Sequence, residues 1–157
     1  MEPKKLTMVV FSGDMDKAVA AFNIATGAAA SGWEVTMFFT FWGIKLVQQG
    51  GLTGRSLFGR MLGLMNRGGI NRVGPSRLNF LGAGRWMFKR MMKSHGAAPL
   101  AELQKLAGEL DVKMIACQMS MDVMEIRRDQ LIPEVAEVGG VAAMLEEAGQ
   151  SQATLFI

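Results

Sequence analysis

The chain has 157 residues and a formal net charge of +3; half of its residues are apolar and a fifth are charged. This length suits one domain with a sizeable core, so we expect a single domain over residues 1–157. The composition excludes a globally disordered chain. The apolar run near the N-terminus is too short for a signal-peptide core or a spanning helix, which predicts a cytoplasmic protein.

Strands and helices alternate along the first forty residues. The apolar run at 6–12 predicts a buried strand that ends at Ser12 and Gly13. Asp14 or Asp16 can cap the helix that follows, and Gly32 ends it. A second strand is expected at 34–40, which completes a unit of the length of a βαβ crossover.

The C-terminal part of the chain continues the alternation. Helical spacing is found at 99–109, and an apolar strand at 112–117 ends in Cys117. The next helix is expected to begin near 120–122 and to run to Pro133. A strand at 135–138, a helix at 141–148 and a last buried strand at 154–157 follow. The pattern predicts an α/β sandwich around a mainly parallel sheet, whose carboxyl-end loops carry the chemistry.

A basic, glycine-rich insertion at about 45–96 separates the second strand from the helix at 99. No acidic residue lies between Glu34 and Glu102, whereas ten of the seventeen cations and twelve of the nineteen glycines lie there. The glycines predict few long regular elements. The simplest interpretation of the charge is a solvated loop. The arginines lack a nucleic-acid recognition motif, so no nucleic-acid partner is expected.

Residues 85–93 within the insertion have amphipathic helical spacing. Four apolar residues share one face of this predicted helix: Met87, Phe88, Met91 and Met92. Four cations share the other face: Arg85, Lys89, Arg90 and Lys93. Such a helix could lie on an anionic membrane surface, bind in a partner's groove, or pack on the body of the protein.

Few cofactor or metal sites are compatible with the sequence. The loop at 12–16 matches neither a P-loop nor a dinucleotide fingerprint, although Ser12 and Gly13 could bind a small anion at the helix start. Cys117 and His95 are the only residues of their types. One chain therefore cannot build a disulfide, a cysteine-rich metal centre or a two-histidine zinc motif, and we expect no metal and no cofactor.

Cys117 is the strongest candidate for chemistry. It ends a predicted strand just before a helix, where peptide dipoles would lower the pKa of its thiol, although the charge of Asp122 opposes this. The alternative is a buried structural cysteine. Because no second cysteine can resolve an intermediate, a reactive Cys117 would depend on another molecule, as in persulfide transfer or a mixed disulfide.

Three motifs together resemble a known family. They are FTFWGI at 39–44, CQMSMDVM at 117–124, and GGVAAMLEEA at 139–148 with TLFI at 154–157. Over most of its length the chain is similar to the DsrE/DsrF-like family, and in particular to the single-cysteine branch of DsrE-like sulfur carriers and sulfurtransferases. The resemblance implies a flavodoxin-like sandwich, a homo-oligomer, and a Cys117 that carries sulfur as a persulfide. The partners it implies are TusA-like or rhodanese-like sulfur-carrier proteins.

On this hypothesis Cys117 is the catalytic residue, and the persulfide is held beneath Phe41 and Trp42. The remaining candidates for contact with substrate or partner are Ser12, Gly13, Gly43, Gln118, Met119 and Ser120. Glu125, where family members have Gly, adds negative charge near the site, and the basic insertion would steer an acidic partner or an anionic sulfur compound. The alternative is a non-catalytic module that docks a membrane surface or a protein through the insertion, with Cys117 in the core.

Overall fold

The computed structural model describes residues 2–157. Its sheet contains the strands β1 (Lys5–Val10), β2 (Glu34–Phe39), β3 (Lys113–Cys117), β4 (Val135–Gly139) and β5 (Ala153–Phe156). The α-helices are α1 (Met15–Ala30), α2 (Leu57–Met65), α3 (Ala83–Ser94), α4 (Leu100–Glu109), α5 (Gln118–Val123) and α6 (Val141–Gly149). Short 3₁₀ helices lie at Phe41–Val47, Phe80–Gly82 and Arg128–Gln130.

The sheet is parallel throughout, in the order β4-β3-β2-β1-β5. The chain steps in one direction from β1 to β4 and then returns across the sheet to β5. Because parallel crossovers are right-handed, this reversal places α6 on the face opposite α1 and α4. The expected flavodoxin-like α/β sandwich is confirmed, with the sheet as its middle layer.

The two faces of the sheet are covered unequally. On one face, large side chains such as Phe39 and Met114 pack with Phe22 of α1 and Leu103 of α4 in the main core. The opposite face has a small cluster of four buried residues, against which Met144 of α6 packs: Val9, Phe38, Ile115 and Cys117. Alternation along β3 therefore puts Cys117 on the thinly covered face.

The predicted helix from 120 to Pro133 is wrong in extent, because α5 ends at Val123. Glu125 has a left-handed backbone, with φ of 53°, which breaks the helix. The apolar spacing that suggested a longer helix comes from Met124, Ile126 and Leu131, which an irregular segment buries in the main core. The apolar spacing of this segment therefore indicates which residues are buried, and not that they form a helix.

The last strand is also less buried than expected. β5 pairs with β1 alone and forms an edge of the sheet. Its Phe156 is 71% exposed. The physical reason is that α6 is the helix that packs on this face, and it covers only part of the sheet.

The insertion contains more regular structure than its glycines predicted, because α2 and α3 have nine and twelve residues. Two of its glycines lie where a helix touches another segment. A Cβ on Gly63 would be 2.2 Å from the carbonyl oxygen of Thr53, and one on Gly84 would be 1.9 Å from that of Leu78. These glycines permit close packing rather than interrupting the helices.

Two carboxylates attach the insertion to the body of the protein. Glu125 accepts hydrogen bonds from the amides of Arg55 and Ser56 and from the Ser56 hydroxyl, at the start of α2. Asp16 accepts from the Ser76 amide at 2.8 Å and from the Ser76 hydroxyl at 2.7 Å. The negative charge of Glu125 is therefore directed at the insertion and is satisfied there.

Loss of the Glu125 charge is expected to loosen the insertion. The donors of Ser56 and Arg55 hold the pKa of Glu125 below its ordinary value of 4.5. A lowered folded-state pKa means that the attachment is fully present above the ordinary value and is lost as the pH falls through the folded value. In Glu125→Gln, trypsin should cleave after the insertion arginines severalfold faster at neutral pH. The matched control is Glu146→Gln, an exposed carboxylate on α6; equal cleavage rates in the two variants would contradict the attachment.

Candidate functional site

The site is centred on Cys117, at the carboxyl end of β3. Its backbone is extended and directly precedes α5, and its side chain is 2% exposed. Across the sheet it pairs with Gly139, the last residue of β4. The thiol thus lies where the ends of parallel strands meet the loops that follow them, which is the usual position of a site in this class of sheet.

Two hydroxyl groups connect the end of β2 to α5, the helix that follows β3. Thr40 Oγ1 and Ser120 Oγ are 2.9 Å apart, and the amide of Phe41 donates to Ser120 Oγ at 3.0 Å. Both hydroxyl-bearing residues are buried. Since the bond between them uses one of two hydroxyl protons, the other proton is free to be donated to a neighbouring acceptor.

The surroundings of Cys117 favour its thiolate. Burial raises the pKa of the thiol, but hydrogen bonding by the Ser120 and Thr40 hydroxyls, which have one free proton between them, and by the amides of Ser120 and Met119 outweighs burial and lowers that pKa from its ordinary value of 9.0. Each donor stabilises the charged sulfur and not the neutral thiol. The arrangement can therefore supply a nucleophile protected from bulk water.

Replacement of Ser120 by Ala should make the thiol less acidic. The variant removes the Ser120 hydroxyl, the strongest of the hydrogen-bonding groups that lower the pKa of Cys117, so that pKa rises. We expect the alkylation rate with iodoacetamide at neutral pH to fall severalfold and the midpoint of its pH profile to move upward. Ser12→Ala is the matched control, because the Ser12 hydroxyl bonds to Asp14 instead. A profile identical to that of the wild type would contradict the role of Ser120.

The predicted residues of the first loop reach the same edge of the sheet but have structural partners. Ser12 Oγ donates to the Asp14 carboxylate at 2.9 Å. A Cβ on Gly13 would be 2.4 Å from the carbonyl oxygen of Trp42, and one on Gly43 would be 2.0 Å from that of Val10. The two glycines therefore allow the loops after β1 and β2 to pack directly on each other.

Five aromatic and thioether side chains lie at this edge, and all of them except the partly buried Phe41 are exposed. The ring centroid of Phe11 is 5.8 Å from that of Phe41 and 5.9 Å from that of Phe156. Trp42 and Met119 are 43% and 48% exposed. Gln118, beside the cysteine, donates to the Asp122 carboxylate at 2.8 Å. We call Phe11, Phe41, Trp42, Met119 and Phe156 the aromatic rim.

Two of the four basic residues on α3 hydrogen-bond to other parts of the insertion. Arg85 donates to the carbonyl of Arg72 at 2.7 Å, and Lys89 donates to that of Asn71 at 3.0 Å. The expected apolar face of this helix is divided: Phe88 and Met92 are partly buried, whereas Met87 and Met91 are exposed. The reason is that Gly84, Phe88 and Met92, spaced four residues apart, share the face of α3 that is turned toward the rest of the protein, whereas Met87 and Met91 lie off that face.

Thr40 lies within the FTFWGI motif and in a loop at the carboxyl end of a predicted strand, but the sequence interpretation gave its side chain no role. The hydrogen bond of its hydroxyl to Ser120 becomes visible only in the structure. Among residues 2–157, no cluster of three or more His, Cys, Asp or Glu side chains could hold a metal ion. Within the same part of the chain, no helix has both the length and the apolar character needed to cross a membrane.

Known proteins resemble this chain over its whole length. The model of the DsrE/DsrF/DrsH-like family matches residues 2–156. "Uncharacterized protein YrkE" of Bacillus subtilis is 40% identical over 99% of this chain and 98% of its own. "Sulfur carrier protein DsrE2" of Allochromatium vinosum is 37% identical over the full length of both.

A solved structure supports the fold independently. The crystal structure of the ychN protein from E. coli superposes with a TM-score of 0.57 at 9% identity, covering 98% of this chain and 99% of that one. At this identity the likeness concerns the fold alone. The family model and the two full-length relatives confirm what the three sequence motifs predicted: the chain belongs to the DsrE/DsrF/DrsH-like family.

Proposed function

We propose that this protein is a sulfur carrier that holds sulfane sulfur as a persulfide on Cys117 and passes it between proteins. The observation that carries the proposal is a buried thiol whose pKa is lowered by hydrogen-bonding groups of Thr40, after β2, and of Met119 and Ser120, on α5. A full-length relative with the name of a sulfur carrier supports the same role.

The transfer requires no oxidant and no cofactor. The Cys117 thiolate attacks the outer sulfur of a donor persulfide, the donor's S–S bond breaks, and the donor leaves as a thiolate with the electron pair. A new S–S bond now joins Cys117 to the transferred sulfur. An acceptor thiolate then attacks that outer sulfur, and Cys117 leaves as the thiolate that began the cycle.

The aromatic rim is the proposed surface for the partner. Largely exposed aromatic and methionine side chains at the same end of the sheet as a buried reactive group suit a surface that a partner protein covers during transfer. TusA-like or rhodanese-like carriers are the proposed partners, and a cytoplasmic homo-oligomer is the proposed form. The cations of the insertion would speed the encounter with an acidic partner, an effect that salt weakens.

Intact mass spectrometry tests the carrier function on the wild-type protein. After incubation with glutathione persulfide, we expect an adduct of one sulfur atom that dithiothreitol removes. Addition of a thiol-bearing acceptor carrier should move that sulfur to the acceptor. If no adduct forms and the thiol resists alkylation until the protein unfolds, Cys117 is a core residue and the proposal fails.

A second candidate function is docking to an anionic membrane surface through the insertion. It is favoured by large apolar side chains that are exposed among the cations: Leu57, Phe58, Met61, Leu64, Met65, Trp86, Met87 and Met91. Apolar groups inserted at a bilayer boundary with cations beside them are typical of interfacial helices.

Co-sedimentation with phosphatidylglycerol vesicles tests this second function. We expect binding that is lost when Arg85, Lys89, Arg90 and Lys93 are all replaced by Gln, because each cation near an anionic surface contributes about 1 kcal/mol. Vesicles of phosphatidylcholine alone are the control. Absence of binding to the anionic vesicles would remove the membrane form of this function.

A further inference from the structure

A cavity of about 670 Å³ lies between α3 and the start of α4, and the proposed sulfur transfer makes no use of it. Its volume is within the range of small-molecule sites. Met15 from the first turn of α1, Ile70, Met92 of α3 and Leu100 of α4 give it an apolar lining. Both Met15 and Leu100 also belong to the main core, so this part of the cavity is rigidly backed.

Two lysines line the same cavity. Lys89 and Lys93 are one helical turn apart on α3 and flank Met92. Within residues 2–157 neither lysine forms an ion pair with an acidic side chain. The lining includes one carboxylate, Glu102, so the two cations outnumber the acids there. The lining therefore carries one positive charge in excess.

We propose that this cavity binds a single-chain amphiphile with an anionic headgroup, its alkyl chain against Met15, Ile70, Met92 and Leu100 and its headgroup between Lys89 and Lys93. An alkyl chain matches the apolar lining, and an anionic headgroup balances the excess positive charge beside the two lysines. A neutral chain would leave the charges unmatched, and a cationic one would be repelled.

Binding of 11-(dansylamino)undecanoic acid to the full-length protein tests the proposal. We expect saturable fluorescence enhancement that dodecanoate, below its micelle concentration, competes away and dodecanol does not. Replacement of both lysines, Lys89→Gln with Lys93→Gln, should weaken dodecanoate binding about tenfold, as expected for two solvent-accessible ion pairs. The matched control is Arg90→Gln on the same helix, which stacks over Trp86 and does not line the cavity.

A second variant locates the ligand independently of charge. Ala98 lines the cavity and is exposed, so Ala98→Phe fills space without disturbing the core, and it should abolish binding. Binding retained in Ala98→Phe, equal affinity for dodecanol, or no saturable binding to the wild type would each overturn the proposal. Cys117→Ser should bind the probe normally, which separates this site from sulfur transfer.

The anionic amphiphile has two possible sources, a free fatty acid or a single-chain lipid from a bilayer. Native mass spectrometry distinguishes them: a complex formed with dodecanoate alone assigns the free acid. A complex with lysophosphatidylglycerol, extracted from vesicles that contain it, assigns the membrane source. Failure to observe a one-to-one complex in both arms would contradict the cavity as a binding site.

Discussion

A Cys117→Ser variant is expected to take up no sulfur from a persulfide donor, while the wild type gains one reducible sulfur atom. The hydroxyl of Ser is not ionised at neutral pH and cannot form a persulfide, so the loss should be complete rather than partial. Intact mass spectrometry of both proteins, before and after reduction, measures it. Because Cys117 is the only cysteine, no other thiol can give a false signal.

The fold of this variant should survive. Serine is close to cysteine in size, so it should fit at position 117, and a far-ultraviolet circular dichroism spectrum should match that of the wild type. Cys117→Ala provides a second variant without a polar group in the small cluster of Val9, Phe38 and Ile115. If either variant gains a sulfur atom that the reductant removes, the hypothesis that Cys117 is the carrier thiol is wrong.

The Gly43→Ala variant is expected to be the most destabilised of the single substitutions considered. A Cβ at this position would lie 2.0 Å from the carbonyl oxygen of Val10 and 2.8 Å from its carbonyl carbon. Both atoms are backbone, so the loop after β2 must move away from the end of β1. We expect a loss of about 3 kcal/mol in the free energy of unfolding. For a protein of this size the melting temperature should fall by roughly 6–12 °C.

Gly27→Ala is the matched control for this effect. Gly27 lies in α1, and nothing is within 4 Å of the place where its Cβ would be. Alanine should therefore stabilise the helix by about 0.5–1 kcal/mol. Thermal unfolding followed by circular dichroism measures both variants. A melting temperature of Gly43→Ala equal to that of the wild type would show that this close approach does not constrain the loop.

Much of the fold and the central residue of the site are predictable from the sequence. The alternation of apolar runs with helical spacing predicts the parallel α/β sandwich, because buried strands and amphipathic helices have distinct local periods. The family motifs, together with the uniqueness of Cys117, identify the thiol. The basic insertion is also visible, since charge and glycine content need no tertiary information.

Other features depend on contacts between distant parts of the chain. Thr40 and Ser120 are 80 residues apart, and only the pairing of β2 with β3 brings their hydroxyls to 2.9 Å. Just after α5 ends at Val123, the Glu125 carboxylate accepts hydrogen bonds from the amides of Arg55 and Ser56, about seventy residues earlier in the chain. The hydrophobic periodicity of a short stretch of sequence carries no information about such long-range contacts.

By itself, then, the sequence determined the fold class and the family and made Cys117 the candidate for chemistry, because these follow from local patterning, from motifs and from a residue type that occurs once. Only the tertiary structure decided what surrounds the thiol. The return of the chain to β5 puts α6 on the second face, and the β2–β3 pairing sets donors beside Cys117. The acidity and burial of that sulfur arise from strand order and crossover handedness, which act over the whole chain.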